Sequence, residues 1–246
     1  MKKHIPNLIT LCNLTFGSIA VIFAVQGQLV AASFFVALGI FFDFFDGMAA
    51  RLLDVKSELG LQLDSLADVI TSGLAPAVIL VQLINISLRD NWNTSFIQET
   101  YVIESGNMLP LIGLLVAAAS AYRLAKFNID TRQTESFIGL PTPANAILII
   151  SIPLILTFQP TAEAFSVLLN PWLLLLLVFI SSFLLNAELP LFSLKFKNRR
   201  FKSNSVRYVF LLLSLVLLFT FWFLAIPAIL FLYVVLSVIF RKKTMV

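Results

Sequence analysis

The chain alternates long apolar runs with short polar interruptions. Ile5 to Val25 is the first run, broken by Gln26-Gly27-Gln28, with glycine as the local breaker. A second runs from about Leu29 to Leu53, and a polar turn, Asp54 to Gly60, follows it. The third is about Leu61 to Ile86, and Ser87 to Asn107 is the longest polar loop. Further runs cover about Met108 to Phe127, Pro141 to near Phe158, and Pro171 to Asn186. Pro141 and Pro143 open their run where a missing N–H costs little. After the loop Lys195 to Arg207, Tyr208 to Phe240 is apolar for about 50 Å as one helix, too long for a hydrocarbon core of about 30 Å. Pro227 lies inside it, so two spans with a tight turn near Ala225 to Pro227 are predicted. Runs approaching 20 apolar residues predict membrane-crossing helices, and the missing two-residue alternation argues against a barrel. The expectation is an all-α polytopic membrane protein of about eight transmembrane helices, forming one domain over residues 1–246.

Composition agrees. Of 246 residues, 59% are hydrophobic and 12% charged, leaving too little polar surface for a soluble domain of this size. Charge placement adds orientation. Eight spans put both termini on one side. With that side cytoplasmic, Lys2, Lys3, Arg51, Lys56, Arg123, Lys126, Arg132, the six basic residues of Lys195–Arg207, Arg241, Lys242 and Lys243 all lie inside. Only Arg89 lies outside. The basic loop reads as a topology signal, with anionic lipid headgroups as a secondary contact. No cleavable signal peptide is evident. The single cysteine, Cys12, can form no internal disulfide and is expected to pack in the first helix. His4 reads as a solvated terminal residue, and nothing in the sequence points to nucleic acid.

Against this hydrocarbon, four aspartates stand out. Asp43 and Asp46 are spaced i, i+3, and Asp64 and Asp68 i, i+4, so each pair shares a helix face. The pairs are nearly equidistant from Val55. A helical hairpin turning there brings all four carboxylates to one depth. One ionised carboxylate in a bilayer helix costs roughly 2.5–3.5 kcal/mol. Four together require cations, and hard oxygen ligands in this number ask for two divalent ions, Mg²⁺ or Mn²⁺. The plainer reading, solvated helix-end charges, suits Asp54 and Glu58. It suits Asp43 poorly, because apolar residues precede it almost without break from Leu29.

The spacing is specific: Asp43-x-x-Asp46-Gly47-x-x-Ala50-Arg51, eight residues, Gly60, three, Asp64, three, Asp68. It resembles the signature of the CDP-alcohol phosphatidyltransferase family at every fixed position. The resemblance implies a membrane enzyme that moves a phosphatidyl or related group from a CDP-linked donor to an alcohol and releases CMP. Gly47 and the small Ala50 let a nucleotide approach the helix. Arg51 is suited to clamp phosphate oxygens, its alternative being a snorkelling topology residue. Gly60 permits close packing or a tight turn. Ser57 falls where the family has a donor-contacting hydroxyl, with an ordinary loop residue as the alternative. By similarity, Asp43, Asp46 and Asp64 hold metal, while Asp68 faces the second metal and serves as general base.

Two other stretches resemble the serine-using branch of that family. PNLITLCNLTFG opens the first helix, and its Asn7 and Thr10 share a face that would meet the donor nucleotide, or else cap the helix. RLAKFN, Arg123 to Asn128, is followed by FIGLPTPANA, Phe137 to Ala146. Arg123 and Lys126, with Asn128, would receive the serine carboxylate or donor phosphates; a topology signal is the alternative for the cations.

The implied activity is transfer of phosphatidyl from CDP-diacylglycerol to L-serine at the cytoplasmic face of the cell membrane, among membrane lipids, with a homodimer as a further expectation. A same-family enzyme using glycerol 3-phosphate, an inositol phosphate or choline is the near alternative. A cation transporter is the remote one. It would place its site near the midplane, often with internal repeats, and would leave the glycine-and-arginine pattern without a purpose.

Overall fold

The computed structural model describes residues 4–55, 57–89, 107–130, 137–191 and 201–240. The expected basic positions Lys2, Lys3, Lys56, Arg132, Lys195, Lys197, Arg199, Arg200 and Arg241 to Lys243 lie outside them. The chain is helical. Its helices are α1 (Ile5–Val25), α2 (Leu29–Leu52), α3 (Glu58–Asp68), α4 (Ala75–Ser87), α5 (Leu115–Ile129), α6 (Thr142–Phe158), α7 (Ala162–Leu168), α8 (Pro171–Asn186), α9 (Phe201–Phe221) and α10 (Ala225–Ile239). A two-residue antiparallel pairing, Phe137–Ile138 with Pro190–Leu191, is the only sheet among the described residues.

Five described helical segments are long and apolar enough to cross a membrane, or six if the bent α7–α8 pair is one span. The protein is an integral, polytopic membrane protein. One of the five, Asn204–Ile239, is folded back on itself. The rings of Phe210 and Tyr233 lie 5.7 Å apart, whereas a straight helix would separate them by about 35 Å. The reversal is a 3₁₀ turn at Trp222–Leu224, with Trp222 at φ 50°. The expected turn at Ala225 to Pro227 is therefore displaced, and Pro227 sits in the first turn of α10, where a proline N–H is dispensable.

Other boundaries also move. The polar turn after α2 is shorter than its composition suggests, because Ser57 caps α3 by accepting from the Gly60 N–H at 3.0 Å. Gly60 is thus helical. An extra short helix, α7, forms where Thr161 caps it through the Ala164 N–H. Helix α9 starts at Phe201, inside the stretch expected as basic loop. Cys12 is exposed on α1 rather than packed, consistent with a lipid-facing position.

Helix α3 continues through a π-helical turn, Val69–Leu74, into α4. This combined segment is the bundle's centre: 78% of its most apolar stretch is buried, against 11% for the α9–α10 hairpin. A helix apolar on all sides belongs in the middle. Lipid tails give no hydrophobic drive for helix association, so close packing of small residues must do it. Gly17 on α1 and Gly39 on α2 both face Thr71 of the π turn. A Cβ on Gly17 would lie 2.8 Å from Thr71 Cα, and one on Gly39 would collide with Thr71 Cγ2. The Thr71 hydroxyl donates to the Asn13 carbonyl at 3.1 Å. Helices α1 and α2 thereby grip the turn directly after Asp68.

Candidate active site

The hairpin between α2 and α3 brings three of the four expected carboxylates into one set, with Asp68 beside it rather than at the same depth. Single oxygens of Asp43, Asp46 and Asp64 lie within 4.8 Å of one another. The Asp43 carboxyl also lies against Asp68, which stands deeper, beside the π turn. The two most enclosed members, Asp46 and Asp68, are 5% and 8% exposed. Helix α1 holds both. The Thr10 hydroxyl donates to Asp46 Oδ2 at 2.6 Å, and Asn13 Nδ2 donates to Asp68 Oδ1 at 3.3 Å. These bonds fix the carboxylates while leaving other oxygens of the cluster turned toward each other.

Converging carboxylates without an intervening cation would repel strongly. The donor set, all hard oxygens, fits divalent cations such as Mg²⁺, Mn²⁺ or Ca²⁺. Asp43, Asp46 and Asp64 could hold one between them; Asp68 borders that set.

A cleft of about 470 Å³ opens beside the carboxylates. Its walls come from α1 (Pro6, Asn7, Thr10), α2 (Asp46, Gly47, Ala50) and the hairpin end with α3 (Val55, Ser57, Glu58, Gly60, Leu61, Asp64). Gly47 leaves that wall open: a Cβ there would meet only Arg51 Nη2, at 3.8 Å. Arg51 is exposed and is not among the residues lining the cleft; its Nε donates to the Gly47 carbonyl at 2.9 Å, which orients the fork without consuming its outer nitrogens. Asn7 reaches close to Gly60, where an added Cβ would sit 3.2 Å from Asn7 Oδ1. Ser57 lines the cleft while capping α3. Glu58, expected to be an ordinary loop residue, lies on the cleft wall in the first turn of α3.

The three residues expected to receive serine part company. Arg123 is buried, 7% exposed, and interacts electrostatically with Asp68 and Tyr233. Lys126 instead faces outward and pairs with Glu188 at 3.6 Å. Asn128 Nδ2 donates to Ser65 Oγ at 2.9 Å, tying α5 to α3. Asn13 was not singled out by the spacing of aspartates. The signal for it was the continuation of the Asn7, Thr10 step by another three residues, onto the same face of α1.

Comparison with known proteins agrees with this geometry. A family model described as CDP-alcohol phosphatidyltransferase matches residues 3–182. A Bacillus subtilis CDP-diacylglycerol–serine O-phosphatidyltransferase is 34% identical over 57% of this chain and 70% of its own length. A Helicobacter pylori protein of the same name is 36% identical over 59% of this chain and 55% of its own length. An archaetidylserine synthase from Methanothermobacter thermautotrophicus is 29% identical over 65% of this chain and 62% of its own length. Apart from the first, the chain spans about half to under two thirds of these relatives.

Proposed function

Since the chain belongs to the CDP-alcohol phosphatidyltransferase family, we propose that it transfers the phosphatidyl group of CDP-diacylglycerol to the hydroxyl of L-serine, forming phosphatidylserine and CMP. The observation that carries the transfer chemistry is the convergence of Asp43, Asp46 and Asp64 on the wall of an open cleft. The choice of serine is supported by the bacterial and archaeal relatives, whose names share that acceptor.

The carboxylates would hold two divalent cations, Mg²⁺ or Mn²⁺, whose charge, when bound, offsets that of the donor's pyrophosphate and of departing CMP. Around them the chain's own groups have separate tasks. Asn7, Thr10, Gly47 and Ser57 form the wall against which the nucleotide lies. Arg51 clamps phosphate oxygens. Asp68, held by Asn13, accepts the proton of the serine hydroxyl as that oxygen attacks the diacylglycerol-linked phosphorus. The new bond joins serine oxygen to phosphorus. The bond that breaks joins this phosphorus to the bridging oxygen, which leaves on CMP. The acyl chains stay in the bilayer, and the cleft faces the cytoplasm at the cell membrane, with a homodimer as the proposed assembly.

The test is acceptor competition. Detergent-solubilised protein receives CDP-diacylglycerol, Mg²⁺ or Mn²⁺, and L-serine, glycerol 3-phosphate, inositol phosphate or choline, and the lipid product is identified. Serine should be the preferred acceptor. Faster turnover with glycerol 3-phosphate under matched conditions would place the chain in another branch.

A further inference from the structure

Helix α1 contributes no carboxylate to the cluster, yet it bonds to two of the four. The shorter bond is at Thr10. Its hydroxyl oxygen lies 2.6 Å from Asp46 Oδ2 and 3.1 Å from the Pro6 carbonyl. One hydroxyl hydrogen serves one acceptor at a time. The carboxylate oxygen is both nearer and charged, so the bond goes there. Thr10 is 3% exposed and Asp46 5%, so water hardly competes for either group. Three residues on, the pattern repeats, with Asn13 Nδ2 donating to Asp68 Oδ1 at 3.3 Å.

The Thr10 bond restricts how Asp46 can meet a cation. A carboxylate chelates with both oxygens only when both turn toward the ion, at about 2.3–2.6 Å for Ca²⁺. The hydroxyl fixes the rotation of the Asp46 carboxylate and occupies one side of Oδ2. Asp46 is then held to one ligand oxygen, as the convergence of single oxygens from Asp43, Asp46 and Asp64 requires. Ca²⁺ collects about 6–8 oxygens and uses two-oxygen chelation to reach that number. Mg²⁺ demands a near-ideal octahedron at about 2.0–2.1 Å, keeps several waters, and is served by one oxygen from each carboxylate.

We propose that the Thr10 hydroxyl is a selectivity determinant of the cation site: by holding Asp46 to a single oxygen, it favours small octahedral ions over Ca²⁺. The inference rests on the divalent-ion reading of the carboxylates given above. Thr10 acts through Asp46 and touches no cation itself. Valine in its place keeps the branched shape and removes the hydrogen bond, so the Asp46 carboxylate is free to turn both oxygens to one ion. Serine keeps the hydroxyl and loses only a methyl group.

The experiment uses the full chain in detergent without nucleotide, so that the wall Thr10 presents to the donor has no bearing on the result. Bound Mn²⁺ is followed by electron paramagnetic resonance. The concentrations of Mg²⁺ and of Ca²⁺ that displace half of it are measured for wild type, Thr10→Val and Thr10→Ser. The ratio of the Ca²⁺ value to the Mg²⁺ value should fall roughly 10-fold in Thr10→Val, the low end of what groups around metal ligands control. Thr10→Ser should keep the wild-type ratio. An unchanged ratio in Thr10→Val overturns the inference, even if both ions bind more weakly. So does an equal fall in Thr10→Ser, which would assign the effect to packing. Chromatography in detergent checks the fold, and if Thr10→Val aggregates, Thr10→Ala is judged by the same ratio. Wild-type protein that binds no Mn²⁺ would overturn the divalent-ion reading itself, and the selectivity with it.

Discussion

Gly47 offers a separation of folding from donor binding. It lies in the interior of α2, where glycine is less favourable than alanine by about 0.5–1 kcal/mol. Gly17 and Gly113 of this bundle cannot be exchanged, because a Cβ on either would come within 3 Å of backbone atoms. A Cβ on Gly47 meets only Arg51 Nη2 at 3.8 Å, an ordinary contact. Gly47→Ala should therefore raise stability by about 0.5–1 kcal/mol, which for a chain of this size means up to about 2–4 °C in melting temperature. Gly47→Leu keeps the helical gain but fills space on the cleft wall where the donor is proposed to lie. Overfilling a fitted site costs about 1–3 kcal/mol, roughly 5- to 150-fold in donor KM. The assays are thermal unfolding in detergent and initial rates over a CDP-diacylglycerol series at saturating serine. Normal donor KM in Gly47→Leu would remove Gly47 from the donor surface. Melting several degrees below wild type in Gly47→Ala would show that the glycine serves packing.

Two further outcomes follow from the carboxylates. Chelation should abolish turnover and Mg²⁺ or Mn²⁺ restore it, while Asp64→Asn should demand at least roughly 10- to 100-fold more metal for half-maximal rate; full activity in verified metal-free protein would contradict the proposed cofactors. Asp68→Asn should lower turnover roughly 10²–10⁴-fold, the usual span for a general base, with CDP-diacylglycerol KM held, and near-normal turnover would take the base role from Asp68.

The aspartate site was legible because its information is local. Two pairs at helical spacing on either side of a short turn can meet in only one way, and oxygens of Asp43, Asp46 and Asp64 do converge. The proposed acceptor residues were less legible because their placement depends on distant segments. RLAKFN reads as two cations sharing a face, yet Arg123 is buried within the bundle while Lys126 faces outward to Glu188. What separates them is the packing of α5 against the π turn and α8, which no spacing within six residues encodes. The π turn itself is equally silent. Val69–Leu74 looks like ordinary apolar helix, and only the two glycines of other helices reveal that Thr71 needs extra room. The short α7 was hidden for another reason: a single capping threonine, Thr161, is enough to start it.

The register of α1 ties these parts together. Its buried residues are Pro6, Thr10, Asn13, Gly17, Ala20 and Ala24, a stripe at steps of three and four. Read from the membrane edge inward, each level of the stripe serves a different requirement. Pro6 and Thr10 wall the cleft, and Thr10 also holds Asp46. Asn13 holds Asp68, and Gly17 admits Thr71. Ala20 and Ala24 pack into the apolar core beyond. A helix advances about 100° per residue, so a one-residue slip would turn every member off the interface together. The close contact at Gly17 forbids such a slip, because any side chain in its place meets Thr71 backbone. The small residue at this packing contact thus sets the positions of the hydroxyl and amide groups that orient the carboxylates, and stability at that contact and geometry at the site are coupled.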